Sequence, residues 1–311
     1  MSIYNQLCEK MKVDPVDLDF FSHNAPKKYK VYSIPKRTVG HRLIAQPTSE
    51  LKEYQRALVS ILEKSLPIHE SAYAYRKNIG IKQNALKHVA NSYLLKMDFQ
   101  NFFNKIKPEI FFSKLLKANI EISDDDRKIL KNLLFWKPGL RRSVTLVLSV
   151  GAPSSPLITN FVMYYFDEHM TNWCKKNKIS YTRYADDITF STNTKSILFS
   201  VPSIVRTILK QEIPGMSINE SKTIFSSKAH NRHVTGVTLT TDNKISLGRK
   251  KKKEISALLH RFTLKILPPE DISFLIGLLS HAKNIEPVFL SRMKSKYGED
   301  TFYNLRGDYH V

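Results

Sequence analysis

The spacing of apolar residues changes along the chain, and each change marks an element. Residues 28–47, "KYKVYSIPKRTVGHRLIAQP", alternate as a hairpin does, with Thr38-Val39-Gly40 at the turn. Helical spacing predicts a helix over about residues 49–65 and helical stretches over 108–135, broken near "EISDDD". Between them lies a short strand-like run, residues 93–97, followed directly by Asp98. "ISYTRYADDITFST" reads as two strands joined by a tight turn at Ala185-Asp186-Asp187, because Tyr, Thr, Ile and Phe favour strands and Asp favours turns. "GAPSSPLITNFVMYYFDEHM" predicts a helix capped by Ser155 with Pro156 at its first position. Its stripe of Leu157, Ile158, Phe161, Val162, Tyr165 and Phe166 faces a core. In the strand-like "HVTGVTL", Gly236 marks a close backbone approach. After residue 242 a basic run opens a helix with Ile255, Leu258, Leu259 and Phe262 at helical spacing. Pro268-Pro269 stops it, and a second helix runs over about 271–283.

Composition narrows the class. The chain has 311 residues, 42% of them hydrophobic and 11% aromatic, enough for a sizeable core in two or three lobes. Its 49 Lys+Arg against 28 Asp+Glu give a net charge of +21, which calls for a polyanionic partner. Nucleic acid fits better than a membrane, since no apolar run approaches the ~18 residues of a spanning helix. The start, "MSIYNQLCEKMKVDP", has no secretory or transit pattern, so a cytoplasmic location is expected. Two distant cysteines, Cys8 and Cys174, exclude a disulfide framework and a cysteine-built zinc site.

Against that positive charge, the adjacent Asp186 and Asp187 stand out. Two carboxylates about 4 Å apart repel by about 4 kcal/mol at an effective dielectric of 20. An exposed hairpin tip relieves this by pointing them apart; a site that makes them converge needs a cation, and Mg²⁺ suits oxygen ligands. If the strand before Asp98 pairs with the hairpin, Asp98 comes opposite Asp186. Three carboxylates then hold two divalent ions ~3.5–4 Å apart, the arrangement for in-line phosphoryl displacement. That chemistry is nucleotidyl transfer, and a basic surface suits its template.

These segments resemble, in order, the motifs of reverse transcriptases: "RLIAQP" the fingers strand at the triphosphate, "LKMDFQNFF" the first catalytic segment, "GAPSSPLITNF" the loop and helix under template and nucleotide, and "YADD" the catalytic hairpin. "NALKH" and "VTG", at 84–88 and 234–236, resemble signatures of bacterial retron reverse transcriptases. The resemblance covers roughly residues 30–290. It implies an α+β right-hand polymerase fold, with fingers at 1–92 and 112–147, a palm built on an antiparallel sheet at 93–111 and 148–241, and a helical thumb at 242–311.

The same resemblance implies roles. Asp98, Asp186 and Asp187 would be catalytic and hold two Mg²⁺ ions, with Mn²⁺ as a substitute and the Phe99 carbonyl as a further ligand. Lys36 or Arg37 with Arg42 would grip the dNTP triphosphate, lined further by Phe102, Phe103 and Gly151, with the Phe103 ring excluding a ribose 2′-OH. Lys222 would protonate the leaving pyrophosphate. Asn84, His88, Val234, Thr235 and Gly236, and the thumb residues Arg249, Lys250, Lys251, Lys252 and Lys253, would contact nucleic acid. The implied function is RNA-directed DNA synthesis on the protein's own structured non-coding RNA, primed from a guanosine 2′-OH. The product would be a branched RNA–DNA hybrid (msDNA), and the setting antiphage defence beside an accessory effector. Two departures stand out: Ser149-Val150 where many relatives have Pro-Gln, and Asn101 where many have Asp. A group II intron-like reverse transcriptase, another templated polymerase, and a non-catalytic RNA-binding protein on a polymerase scaffold remain open alternatives.

Overall fold

Antiparallel pairing organises the strands. The structure, a computed structural model, describes residues 2–35, 40–139 and 145–307. Strands β1 (Tyr29–Pro35) and β2 (His41–Pro47) form the hairpin that the alternation predicts, with Tyr29 opposite Pro47 and Pro35 opposite His41. The turn assigned to Thr38-Val39-Gly40 lies largely outside the described residues. A four-stranded sheet contains β3 (Tyr93–Asp98), β4 (Ser180–Tyr184), β5 (Asp187–Thr192) and β6 (Ile224–Ser227) in the order β4-β5-β3-β6. The third sheet is a meander of β7 (Arg232–Val234), β8 (Val237–Leu239) and β9 (Ile245–Ser246). The chain divides into two compact units.

The first unit comprises Met1–Tyr75, Met97–Ile188 and Phe199–Thr223. Helices Ile3–Met11, Pro15–Asn24, Ser49–Leu62 and Asp124–Leu134 pack together around Leu7, Leu18, Leu51, Leu58 and Leu130, all fully buried. The predicted break near "EISDDD" has a physical cause. Asn119 takes a positive φ after helix Pro108–Lys117, and Ser123 with Asp126 forms a reciprocal capping box that starts Asp124–Leu134. Helix Ser155–Val162 differs from expectation: its N-cap is Ser154, and the Ser155 hydroxyl instead donates to the Ser149 carbonyl at 2.7 Å. The helix stops at Val162 and resumes as Tyr164–Lys176. Thr159 bonds back to the Ser155 and Pro156 carbonyls, a bond that bends helices. Leu157, Ile158, Phe161, Val162 and Phe166 are buried as the stripe predicts, while Tyr165 is only half-buried.

The second unit comprises Arg76–Lys96, Thr189–Leu198 and Ile224–Val311. Helices Arg249–Thr263 and Pro269–Ile285 match the two predicted from the sequence, and Pro287–Tyr297 and Glu299–Gly307 follow. Ile255, Leu259, Leu275, Leu278 and Phe289 share one core with Val234, Val237 and Leu239 of the meander. Gly236 is not the strand glycine that was expected. Thr235 and Gly236 form the two-residue turn between β7 and β8, with φ of +46° and +83°. Positive φ at both positions is the type I′ pattern, whose twist matches the flanking strands. Among the described residues, no helix is long and apolar enough to cross a membrane.

Candidate active site

The carboxylate hairpin turns tightly because Ala185 accepts a conformation that favours glycine. Ala185 sits at φ +57° between β4 and β5, while Asp186 has no positive φ, as in a type II′ turn. A backbone of this kind costs on the order of 1–3 kcal/mol and persists where its surroundings over-determine it. One such tie reaches across to β3: the Phe99 N–H donates to the Asp186 carbonyl at 3.0 Å. Asp98, one residue earlier, is thereby brought beside the turn, with a relative exposure of 6%. Asp186 is half-buried, and Asp187 opens β5 at the surface.

Asp186 feels the charge of Asp98. Burial raises the Asp186 pKa, and the charge on Asp98 raises it further, against the pull of Lys222 and Arg42. Lys222 Nζ sits 3.0 Å from Asp98 Oδ2, and Asn219 approaches the same oxygen with Nδ2 at 3.5 Å while its N–H donates to the Asp98 carbonyl at 2.7 Å. Among the described residues no three His, Cys, Asp or Glu side chains form a ready-made metal cluster. The expected gathering of all three carboxylates is therefore not preassembled. The donor chemistry still fits a divalent cation: two carboxylates held side by side, all-oxygen, with an ammonium already against one of them.

Residues that the sequence analysis did not single out hold this hairpin. Arg183 and Asp167 are both 0% exposed and form a bidentate pair, Nε to Oδ1 at 2.9 Å and Nη2 to Oδ2 at 2.7 Å. The Tyr181 hydroxyl donates to Asp167 at 2.7 Å. Arg183 Nη1 then donates to Asn160 Oδ1 at 3.1 Å and to the carbonyl of the strained Ala185 at 3.3 Å. Burial alone would lower the Arg183 pKa; the charge and hydrogen bonds of Asp167 more than offset it.

On the nucleotide side, Arg42 is exposed on β2, and its charge reaches Asp186. Lys36 and Arg37 lie outside the described residues. Gly151, at φ +112°, abuts β2 closely enough that a Cβ would meet Ile44 Cγ2 at 3.5 Å. Ser149, the departure noted in the sequence, ties this loop to β2 by donating to the Ala45 carbonyl. Phe102 is corrected: it is 3% exposed and stacks on Phe99 at 5.6 Å, so it is core and not a nucleotide contact. Phe103 is half-buried, edge-on to Phe102.

A family model described as reverse transcriptase (RNA-dependent DNA polymerase) matches residues 34–239. The chain belongs to the reverse transcriptase family. It is 48% identical to the retron Ec83 reverse transcriptase of Escherichia coli over 93% of this chain and 94% of that one. It is 33% identical to the Escherichia coli retron Ec73 reverse transcriptase over 89% of each. Telomerase from Candida tropicalis, at 13% identity, shares the fold with a TM-score of 0.50 over 86% of this chain, which spans 54% of that one. The chain is thus a retron-type RNA-directed DNA polymerase with the α+β reverse-transcriptase fold.

In this reverse transcriptase the two retron signatures meet indoors. Asn84 and His88 were expected to touch nucleic acid, yet both are fully buried. Asn84 Nδ2 donates to Thr235 Oγ1 at 3.3 Å, and His88 Nδ1 pairs with Ser191 Oγ at 2.7 Å. Val234 is buried as well, which leaves Thr235 half-buried and Gly236 exposed at the turn. Among the basic residues, Arg249, Lys250 and Lys253 are exposed. Lys252 is corrected: it pairs with Glu286 at 2.6 Å and lies over the Phe289 ring, so its charge is committed to the fold.

Burial pushes the His88 imidazole down to about 3. As pH falls through about 6.5 the unfolded chain gains a proton that the fold refuses, so stability declines from there towards pH 3. The slope from this one group approaches about 1.4 kcal/mol per pH unit. His88→Gln is expected to flatten the decline between pH 6.5 and 5, measured by urea unfolding at stepped pH.

Proposed function

We propose that this reverse transcriptase copies its own structured non-coding RNA into DNA with dNTPs, using Asp98, Asp186 and Asp187 to hold two Mg²⁺ ions. The observation that carries the proposal is the bond from the Phe99 N–H to the Asp186 carbonyl, which holds Asp98 beside the hairpin turn at the end of β3. Bound Mg²⁺, or Mn²⁺ in its place, would lower the pKa of the attacking hydroxyl and neutralise the leaving phosphates. The Phe99 carbonyl would supply a further oxygen.

The remaining work falls to the protein's own groups. Arg42, with Lys36 or Arg37, grips the triphosphate, and Gly151 lets the nucleotide approach the backbone. Lys222, now against Asp98, exchanges that carboxylate for the pyrophosphate and delivers a proton to it. Thr235 and Gly236 meet the nucleic-acid backbone, while Asn84 and His88 act from inside by fixing the turn and β5. Arg249, Lys250, Lys251 and Lys253 follow duplex phosphates, which makes binding salt-dependent and sequence-tolerant. Fingers at 1–92 and 112–147, a palm at 93–111 and 148–241, and a thumb at 242–311 describe this division of labour.

The retron relatives support a retron-type enzyme, and to this the proposal adds priming from a guanosine 2′-OH, a branched msDNA product, a cytoplasmic setting, and antiphage defence with an accessory effector. Sequencing RNA and DNA covalently joined in the purified complex tests it; linear DNA with no branch would refute it. The Phe103 ring is assigned to exclude the ribose 2′-OH. Phe103→Ala is expected to lower the dNTP-over-rNTP preference in kcat/KM by at least about tenfold, some 1.4 kcal/mol. Unchanged sugar discrimination in single-nucleotide extension would remove Phe103 from that role.

A further inference from the structure

Tyr75 holds an aromatic side chain where aromatic residues rarely sit. Its φ is +61°, an outlier for a bulky residue, and it is 52% exposed. The chain leading to it is fastened to the catalytic hairpin. Ala72 bridges Arg183 in parallel register. The Tyr73 N–H donates to the Arg183 carbonyl at 2.7 Å, and the Arg183 N–H donates to the Ser71 carbonyl at 2.7 Å. Asn160 Nδ2 donates to the Ala74 carbonyl at 3.0 Å, and the Oδ1 of the same amide accepts from Arg183. Ala72 and Ala74 are 0% and 1% exposed, so small side chains fill the inside and the first large one past them is turned out.

Strain of this kind survives where it serves a site and the surroundings fix it. The Tyr75 hydroxyl feels the charges of the site. After burial, the Asp186 charge and Tyr184 raise its hydroxyl pKa, and Arg183 and Arg42 oppose them. A half-exposed ring on a segment tied to Arg183, three residues before Asp186, has a natural occupant. We propose that Tyr75 contacts substrate directly, packing its ring against the nucleoside at the point of synthesis. Base–aromatic stacking suits a copying enzyme because every base has a π-face. The nucleoside comes from the primer terminus or the incoming dNTP. The proposal rests on the assignment of Asp98 and Asp186 as the catalytic pair.

The test uses the full chain with a fluorescein-labelled DNA primer annealed to an RNA template of defined sequence. Tyr75→Gly removes the ring and relaxes the backbone, so its melting temperature should hold or rise. Its substrate affinity should fall about tenfold or more, while Tyr75→Phe stays within about twofold of wild type. A raised Kd for the labelled hybrid by anisotropy assigns the contact to the primer; a raised KM for dNTP assigns it to the incoming nucleotide. Wild-type values of both in Tyr75→Gly would overturn the proposal. So would a loss in Tyr75→Phe equal to that in Tyr75→Gly, or a fall in melting temperature that tracks the lost affinity. Asp186→Asn is assayed alongside: if it still makes DNA, the catalytic assignment fails whatever Tyr75 does.

Discussion

Asp186→Asn is expected to cut DNA synthesis by at least about 10³-fold, roughly 4 kcal/mol of transition-state stabilisation, and to raise the melting temperature of the metal-free protein. The two effects share a cause. Burial and the Asp98 charge raise the Asp186 pKa above 3.8, so the fold disfavours the ionised form that metal binding needs. Between the ordinary carboxylate value and the raised one, the folded state holds more protons than the unfolded state. Stability therefore falls as pH rises through that window and stays lower above it. Asparagine removes the titration, so the stability gain should be present at pH 7 and vanish below the ordinary carboxylate pKa. Mg²⁺ should raise the wild-type melting temperature and leave the variant nearly unmoved, read by differential scanning fluorimetry with and without EDTA. Synthesis by the variant within tenfold of wild type would refute the site, and a lowered melting temperature at pH 7 would refute the repulsion.

Much of this site was legible because its chemistry is local in sequence. "YADD" carries its own flanking strand residues, and Asp98 closes a strand-like run that the structure extends to Tyr93–Asp98. The helices within 108–135 and on either side of Pro268-Pro269 were legible from periodicity, from the break near "EISDDD" and from the two prolines as punctuation. What failed depended on long-range partners. Nothing in "NALKH" says that Asn84 bonds a residue 151 positions away, and nothing in the basic run says which lysine meets Glu286. Ser155 looked like a cap because local rules know nothing of the Ser149 carbonyl. Phe102 and Phe103 are identical neighbours by pattern; only packing against Phe99 separates the buried ring from the half-buried one. A faint signal existed for Thr235: a Thr-Gly pair between apolar runs is a weak form of the hairpin signature, masked by the β-branched residue.

Arg183 is the largest omission, and its partner yields the other large prediction. Charged residues are rarely fully buried unless paired, so a single arginine in "YTRYADD" gives no hint that Asp167, on a helix, waits for it. Asp167→Asn keeps the shape but leaves an uncompensated guanidinium at 0% exposure, and its single amide oxygen must serve both Arg183 and Tyr181. The cost is expected to be about 3–5 kcal/mol, a large share of the roughly 5–15 kcal/mol by which a domain is stable. Urea unfolding should show a much lower midpoint, with synthesis lost as the hairpin loosens. Asp167→Leu with Arg183→Met separates charge from architecture, because swapping a buried pair for apolar residues is often near neutral in stability. That double variant should regain most of the midpoint yet remain impaired in synthesis, since no guanidinium then reaches Asn160 or the Ala185 carbonyl. Full recovery of both would reduce the pair to a fold element. Recovery of stability alone would tie the buried pair to the strained alanine that precedes Asp186.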